Sequence, residues 1–290
     1  MDAPRVVMVE LDHSDPPGRL RDWLVAAGLE VVVCDVAGGE SLPAPGGYAG
    51  LVVLGGKMGA GDDAEYPFLA DVRQLLRDVV RDEVPTLAIC LGAQLLAAAH
   101  GGRVVVNPEG PEIGAQLVAK RAAAATDPLF GAMPITPDVM QWHYDTVASL
   151  PPGAIHLASS PVCENQAFRV GRLAWAVQFH IETTPEMVAE WARADAPNLP
   201  ELDLDLVVSR AAAAHDDIAE VWAPFAQAFA AVVGDPSAVA PPRGVATATA
   251  APVTDPAAIR AALAAEAGAA RGTDALPSPL PMPTRRPPGD

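Results

Sequence analysis

The sequence predicts an α/β fold of three layers: a mostly parallel sheet with helices on both faces and extra antiparallel strands. Three observations carry this. Apolar runs rich in β-branched residues alternate with helically spaced segments over residues 5–89. Those runs are apolar throughout instead of at every second position, as expected of strands buried on both faces. From about residue 103 the pattern changes to short strands separated by Gly, Pro, Asn and Asp, which reads as partly antiparallel structure added to the same domain.

In order, RVVMVEL (5–11) is a strand and DPPGRLRDWLVAAGL (15–29) a turn plus amphipathic helix. EVVVCDV (30–36) is a second strand and YAGLVVLGG (48–56) a third, ending in a glycine pair. PFLADVRQLLRDVVRDE (67–83) has helical spacing, and VPTLAI (84–89) is a fourth strand running straight into Cys90. Ligands of such sheets bind at the carboxyl ends of the strands, where both Cys90 and Gly55–Gly56 fall. RVVVN, EIGAQLVAK, DVMQWHYDTV, AIHLASS, QAFRVG and LAWAVQFH are the later short strands. Helices are expected over 184–194 and 203–233, the second a helical extension with a bend or division near Pro224. The domain is expected to span 1–234. The Pro/Ala-rich tail, 235–290, reads as mostly disordered, with one helix over 255–272 capped by Asp255 and started by Pro256.

Composition excludes several classes. The 290 residues are 50% hydrophobic, enough for a sizeable core in one large or two small domains. The formal charge is −17 and lysine occurs only at 57 and 120. A nucleic-acid binder needs a basic stripe to neutralise phosphates, and an anionic membrane repels such a chain. The N-terminal apolar run is short and interrupted by acidic residues, unlike a signal peptide. No stretch reaches the apolar length of about 20 residues that spans a bilayer. Cys34, Cys90 and Cys163 are sparse, odd in number and without CxxC spacing. That usage suggests a reducing cytoplasm, with neither a disulfide framework nor a zinc site.

Three segments carry chemistry. In A-I-C-L-G (88–92) a strand, a cysteine and a helix follow one another, with small residues two before and two after Cys90. This is the layout of a nucleophile elbow. The helix that follows aims its first N–H groups at the sulfur and favours thiolate. Taken alone, the segment reads equally as a small apolar residue closing a strand. In AVQFHIETTPE (176–186), His180 and Glu182 are two residues apart, so an extended stretch projects them to one side. A carboxylate there would hold the imidazole in its working tautomer; a lone strand-end histidine is otherwise a hydrogen-bonded surface residue. In LVVLGGKMGA (51–60) the Gly-Gly pair allows backbone N–H groups to turn toward a ligand, or makes an ordinary turn. Cys, His and Glu, in that order and each at a strand end, point to a nucleophile, a base and an orienter.

Together these segments resemble the class I (triad-type) glutamine amidotransferases, particularly the stand-alone GMP-synthase-like domains. The family's G-x-C-x-G-x-Q appears as A-I-C-L-G-A-Q (88–94), its F-H-P-E as F-H-I-E (179–182), and its GG-P-x-G loop as G-G-K-M-G (55–59). The resemblance covers roughly 1–193, extends to the long helix ending near 233, and leaves the tail outside. It implies a flavodoxin-like sheet and hydrolysis of the glutamine side-chain amide through a γ-glutamyl thioester, giving glutamate and ammonia. Cys90 would attack the amide carbon, with the N–H groups of Leu91 and Gly56 holding the oxyanion. His180, oriented by Glu182, would protonate the departing ammonia and then activate water. Gln94 would contact the bound glutamine. QWHYDTV (141–147) is similar to the family's H-G-D-x-V stretch and would place His143 and Asp145 near the pocket, Asp145 beside the α-amino group. Glu112 and Gly114 match an E-I-G segment read as structural.

Four departures stand out: Ala88 for the elbow's first glycine, Tyr144 for the glycine of H-G-D, Lys57 for proline, and Ile181 for proline. Tyr144 reshapes the pocket rim, Lys57 reads as a solvated side chain, and the elbow and the His180 loop are expected to tolerate the other two. No cofactor or metal is implied. No G-x-x-x-x-G-K-[ST] signature is present, so a synthetase receiving the ammonia would be a separate protein. Two other readings share the scaffold: a hydrolase of γ-glutamyl peptides or amines, and a non-catalytic regulatory or binding subunit.

Overall fold

The structure is a computed structural model that describes residues 3–240. The helix expected over 255–272 and nearly all of the tail lie outside the described residues. The first half runs β1 (Arg5–Glu10), α1 (Gly18–Ala26), β2 (Glu30–Asp35), β3 (Gly50–Val53), α2 (Phe68–Arg81), β4 (Thr86–Ile89) and α3 (Leu91–Ala99). The second half supplies β5 (Arg103–Val106), β6 (Glu112–Leu117), β7 (Ala119–Lys120), β8 (Asp138–His143), β9 (Asp145–Ser149), β10 (Ile155–Ser159), β11 (Ala167–Val170), β12 (Ala174–Val177), α4 (Pro185–Asp195) and α5 (Leu204–Gly234).

Eight strands form the central sheet in the order β2-β1-β3-β4-β12-β11-β10-β7. The five from β2 to β12 are parallel, and β12 onward is antiparallel. β4, which leads to Cys90, lies between β3 and β12, with Ala88 opposite both Val53 and Ala176. That order brings three distant carboxyl ends side by side: Gly55–Gly56 after β3, Cys90 after β4, and His180 after β12. The remaining strands make two antiparallel pairs, β5-β9 and β6-β8.

Alternate residues of the buried strands feed two cores. Val6, Met8, Val52 and Leu87 pack with α1, α4 and α5; Val7, Val9, Leu51 and Val53 pack with α2 and α3. This is why these strands read as apolar at every position. Trp222, Phe225 and Phe229 of α5 are fully buried or nearly so, and each such side chain contributes about 1.5–3 kcal/mol by leaving water.

Two features differ from expectation. α5 does not divide; it is one helix with Pro224 inside it. Pro224 and Glu220, whose carbonyl the missing N–H leaves unpaired, both face solvent, so water replaces the lost bond while the buried stripe stays continuous. The single strand read in DVMQWHYDTV is two, because β8 pairs with β6 and β9 with β5, so the chain changes partner at Tyr144. Beyond Gly234, Arg172 donates to the carbonyls of Pro236 and Val239, and Val239 is buried, so packed chain continues past the helix.

Candidate active site

Cys90 closes β4 with φ 49° and ψ −107°. Glu83 is the other non-glycine residue with positive φ among the described residues. Such a conformation costs on the order of 1–3 kcal/mol and persists only where its surroundings enforce it. Here Cys90 N donates to Val177 O (2.9 Å), and Gln94 N donates to Cys90 O (3.0 Å), starting α3. The elbow needs Gly92, because a Cβ there would lie 2.4 Å from the carbonyl oxygen of Val53. It does not need glycine at 88: Ala88 is an ordinary buried strand residue. The thiol is 6% exposed and sits at the first turn of α3.

His180 lies three residues past β12, held to β8 by a two-way bridge with Met140 (His180 N to Met140 O 2.7 Å; Met140 N to His180 O 3.2 Å). Its Nδ1 is 2.6 Å from Glu182 Oε1. The other carboxylate oxygen of Glu182 accepts from Ile181 N at 2.8 Å. Proline could not supply that donor, so Ile181 adds a bond that F-H-P-E would lack. The nearby Cys90 thiol also favours the charged form of His180. Burial opposes charge on His180, but Glu182, Asp15 and Cys90 outweigh it and hold the imidazole well above the usual histidine range.

The glycine loop approaches from the other side. A Cβ on Gly56 would lie 3.2 Å from Leu91 Cδ2, so the glycine loop passes close to the side chain of the first residue of α3. Lys57 is 72% exposed in its side chain, with Nζ 3.6 Å from Asp12 Oδ2; it is the solvated side chain expected, carrying an ion pair to Asp12.

The remaining expected residues divide. Gln94 is 3% exposed, and its Nε2 donates to Gln178 Oε1 (3.2 Å) and to the carbonyl of Asp145 (3.3 Å). Gln178 in turn donates to Cys90 Sγ (3.8 Å). Gln94 therefore reaches the sulfur through Gln178. Asp145 is half-buried at the start of β9, beside Gln94. His143 is committed elsewhere: Nδ1 is 2.9 Å from the carbonyl of Asp145, and Nε2 is 3.1 Å from Glu112 Oε2. Glu112 is its direct cross-strand neighbour and also accepts from Ser160 (2.7 Å) and Gln166 (2.6 Å). Gly114 continues that strand, with φ 91°. Tyr144 donates to Asp195 (2.8 Å) at the rim.

Sequence reading missed three residues. Asp15 packs on the His180–Glu182 pair, its Oδ1 3.7 Å from His180 Nδ1. Burial pushes its carboxyl up to about 7; His180 pulls the other way and Glu182 adds to the rise. Gln178 touches the sulfur, and the Trp191 ring of α4 lies 4.8 Å from the His180 ring. The signal for Asp15 was DHSDPPG, a polar cluster at the carboxyl end of β1. For Gln178 it was a polar residue interrupting an apolar strand end. Nothing local marks Trp191 off from a core tryptophan.

Two buried clusters hold His, Cys or carboxylate donor atoms within 4.8 Å of one another: Glu112, His143 and Cys163, and Asp15, His180 and Glu182. In the second, His180 Nδ1 is committed to Glu182; in the first, both Glu112 oxygens already accept hydrogen bonds. Both read as proton networks. No described helix is long and apolar enough to cross a membrane.

A family model for "Glutamine amidotransferase class-I" matches residues 20–190. A glutamine-hydrolyzing GMP synthase subunit of Methanosarcina mazei is 41% identical over 109 residues, 37% of this chain and 56% of that protein. The chain thus spans little more than half of that relative. The corresponding GMP synthase subunit of Thermoplasma acidophilum is 32% identical over 163 residues, 56% of this chain and 77% of that one. Among solved structures, a glutamine amidotransferase from Thermotoga maritima superposes with a TM-score of 0.71 at 30% identity, covering 79% of this chain and 99% of its own. With the family model spanning more than half of the sequence, the chain belongs to the class-I glutamine amidotransferases.

Proposed function

We propose that this chain hydrolyses the side-chain amide of glutamine to glutamate and ammonia, with Cys90, His180 and Glu182 as nucleophile, base and orienter. The observation that carries the reading is the strained Cys90 at a strand end, beside a His180 whose Nδ1 is 2.6 Å from Glu182. His180 Nδ1–H donates to Glu182, which leaves Nε2 to take the thiol proton. The thiolate attacks the amide carbon, and the N–H groups of Leu91 and Gly56 receive the oxyanion. The imidazolium returns its proton to the leaving nitrogen, so ammonia departs and a γ-glutamyl thioester remains. His180 then deprotonates a water that attacks the thioester, releasing glutamate and restoring the thiol.

Asp145 serves the α-amino group of glutamine. Gln94 acts on the substrate pocket through Gln178, and His143 holds the carbonyl of Asp145 from behind. The ammonia goes to a synthetase on a separate chain, as the names of the two GMP synthase relatives suggest. Replacing Cys90 with alanine should lower kcat for ammonia release by at least about 10⁴-fold. Undiminished release would sink the assignment. Specific labelling of Cys90 by a glutamine-mimicking electrophile would exclude the non-catalytic reading. Faster turnover of γ-glutamyl peptides or amines than of glutamine would shift the substrate to that class.

A further inference from the structure

We propose that Asp15 is a positioning residue: a second buried carboxylate on His180 that, with Glu182, holds the imidazolium formed when Cys90 passes its proton to His180. The proposal rests on the reading of Cys90 and His180 as nucleophile and base.

Asp15 Oδ1 lies 3.7 Å from His180 Nδ1, its side chain is 7% exposed, and that oxygen is buried with no hydrogen-bond partner. A buried, ionised carboxylate without donors costs several kcal/mol unless a cation faces it. The charged and titratable groups around Asp15 are Glu182 and His180 after β12, Cys90 at the elbow, and Asp12 and Glu10 on its own segment. Lys57, from the loop after β3, is paired with Asp12. His180 is therefore the group that compensates Asp15.

The placement is built in from three sides. Asp12 Oδ1 accepts from Ser14 N (2.9 Å) and Ser14 Oγ (2.8 Å), and Asp15 N donates to Asp12 O (2.9 Å), so the loop after β1 is tied into a tight turn. Trp191 Nε1 donates to Ser14 O (2.6 Å) while its ring lies against His180, so one side chain clamps the loop and the imidazole together. Gly55 clears the third side: a Cβ there would lie 2.1 Å from Asp15 Oδ2 and 3.1 Å from His180 Cε1.

The two carboxylates act differently. Glu182 takes the Nδ1–H hydrogen bond and sets the tautomer. Asp15 makes no hydrogen bond to the ring and acts by charge. Ionised, it stabilises the imidazolium and with it the thiolate; protonated, it gives no such support. Because burial holds its carboxyl near about 7, the support engages as pH rises through neutrality.

The test uses the intact protein and Asp15→Asn. Alkylation of Cys90 by iodoacetamide, followed against pH, should be about tenfold slower in the variant above about pH 7 and converge with wild type below it. On glutamine, kcat should fall with that same pH dependence while KM stays. Superimposable alkylation profiles, or a deficit independent of pH, would overturn the proposal. Should the variant fail to fold, wild type alone decides: ¹⁵N shifts of the His180 ring should step near pH 7 as Asp15 ionises, and a ring with no such step overturns it. Alkylation does not depend on the substrate. If wild type released no ammonia, differing profiles would still support Asp15. If Cys90→Ala abolished release while the two profiles matched, Asp15 alone would fail.

Discussion

The molecule holds two buried histidine–carboxylate pairs, and they have opposite fates. His180 and Glu182 are two residues apart on one loop; His143 and Glu112 face each other across two strands. Both histidines are almost fully buried, and both carboxylates accept more than one hydrogen bond. The difference is what the second ring nitrogen meets. His143 has Nδ1 on a carbonyl, and its Nε2, 3.1 Å from Glu112, makes no hydrogen bond and is enclosed within the strand-pair cluster. His180 gives one nitrogen to Glu182 and lies beside the Cys90 thiol. In the proposed mechanism a histidine beside a carboxylate is not in itself a base; what distinguishes His180 is its position at the carboxyl edge of a parallel sheet, next to a strained elbow.

Matched substitutions test that contrast most strongly. Glu182→Gln should lower kcat for ammonia release by about 10²- to 10⁴-fold, since it removes the charge that supports the imidazolium. Glu112→Gln should leave kcat nearly intact and cost about 1–3 kcal/mol of stability, because buried donors from Ser160 and Gln166 lose a charged acceptor. An equal loss of kcat in the two variants would make the His143 cluster part of the chemistry.

A second contrast lies in pH. The Asp15 carboxyl is raised from 3.8 to about 7, so the folded state binds that proton more tightly than the unfolded chain. Its contribution is favourable at low pH and declines as pH rises from about 4 through about 7. The raised His180 contributes in the same sense, with stability present below 6.5 and lost as pH climbs through its higher folded value. Asp15→Asn removes the first of these. Its Tm relative to wild type should rise as pH goes from about 4 to about 7 and then level off. A Tm difference flat across that range would mean that the Asp15 proton is not held by the fold.

The smallest effect belongs to Ile181→Pro. It deletes the 2.8 Å donor to Glu182 Oε2, a charge-assisted bond worth about 1.5–3 kcal/mol. Proline is the family's usual residue here, so kcat should fall only a few-fold while Tm drops. A collapse of activity would show that this chain depends on the extra donor.

Much of this site was legible because its signals are local. A strand running into a cysteine, flanked by small residues and followed by a helix, permits an elbow, and His180 with Glu182 at another strand end favours it over a residue that only closes the strand. A two-residue spacing put Glu182 within reach of His180. In QWHYDTV the motif suggests His143 and Asp145 near the pocket, and the fold sets His143 against the Asp145 carbonyl and beside Glu112 across the strand pair. The sequence also allowed a bend or division of α5 at a proline that the fold keeps on the solvent face.

The sequence by itself determined the alternation of buried strands and helices, the elbow at Cys90, and the pairing of His180 with Glu182. Each depends on residues within a few positions of one another, where backbone geometry alone sets reach. Tertiary structure decided that β4 lies between β3 and β12, and so that the glycine loop, the thiol and the imidazole meet. It also decided that Asp15, Gln178 and Trp191 close around them, and that His143 does not join them. Those outcomes depend on strand order and on burial, which set which distant groups must share a proton away from water; no short stretch of sequence contains either.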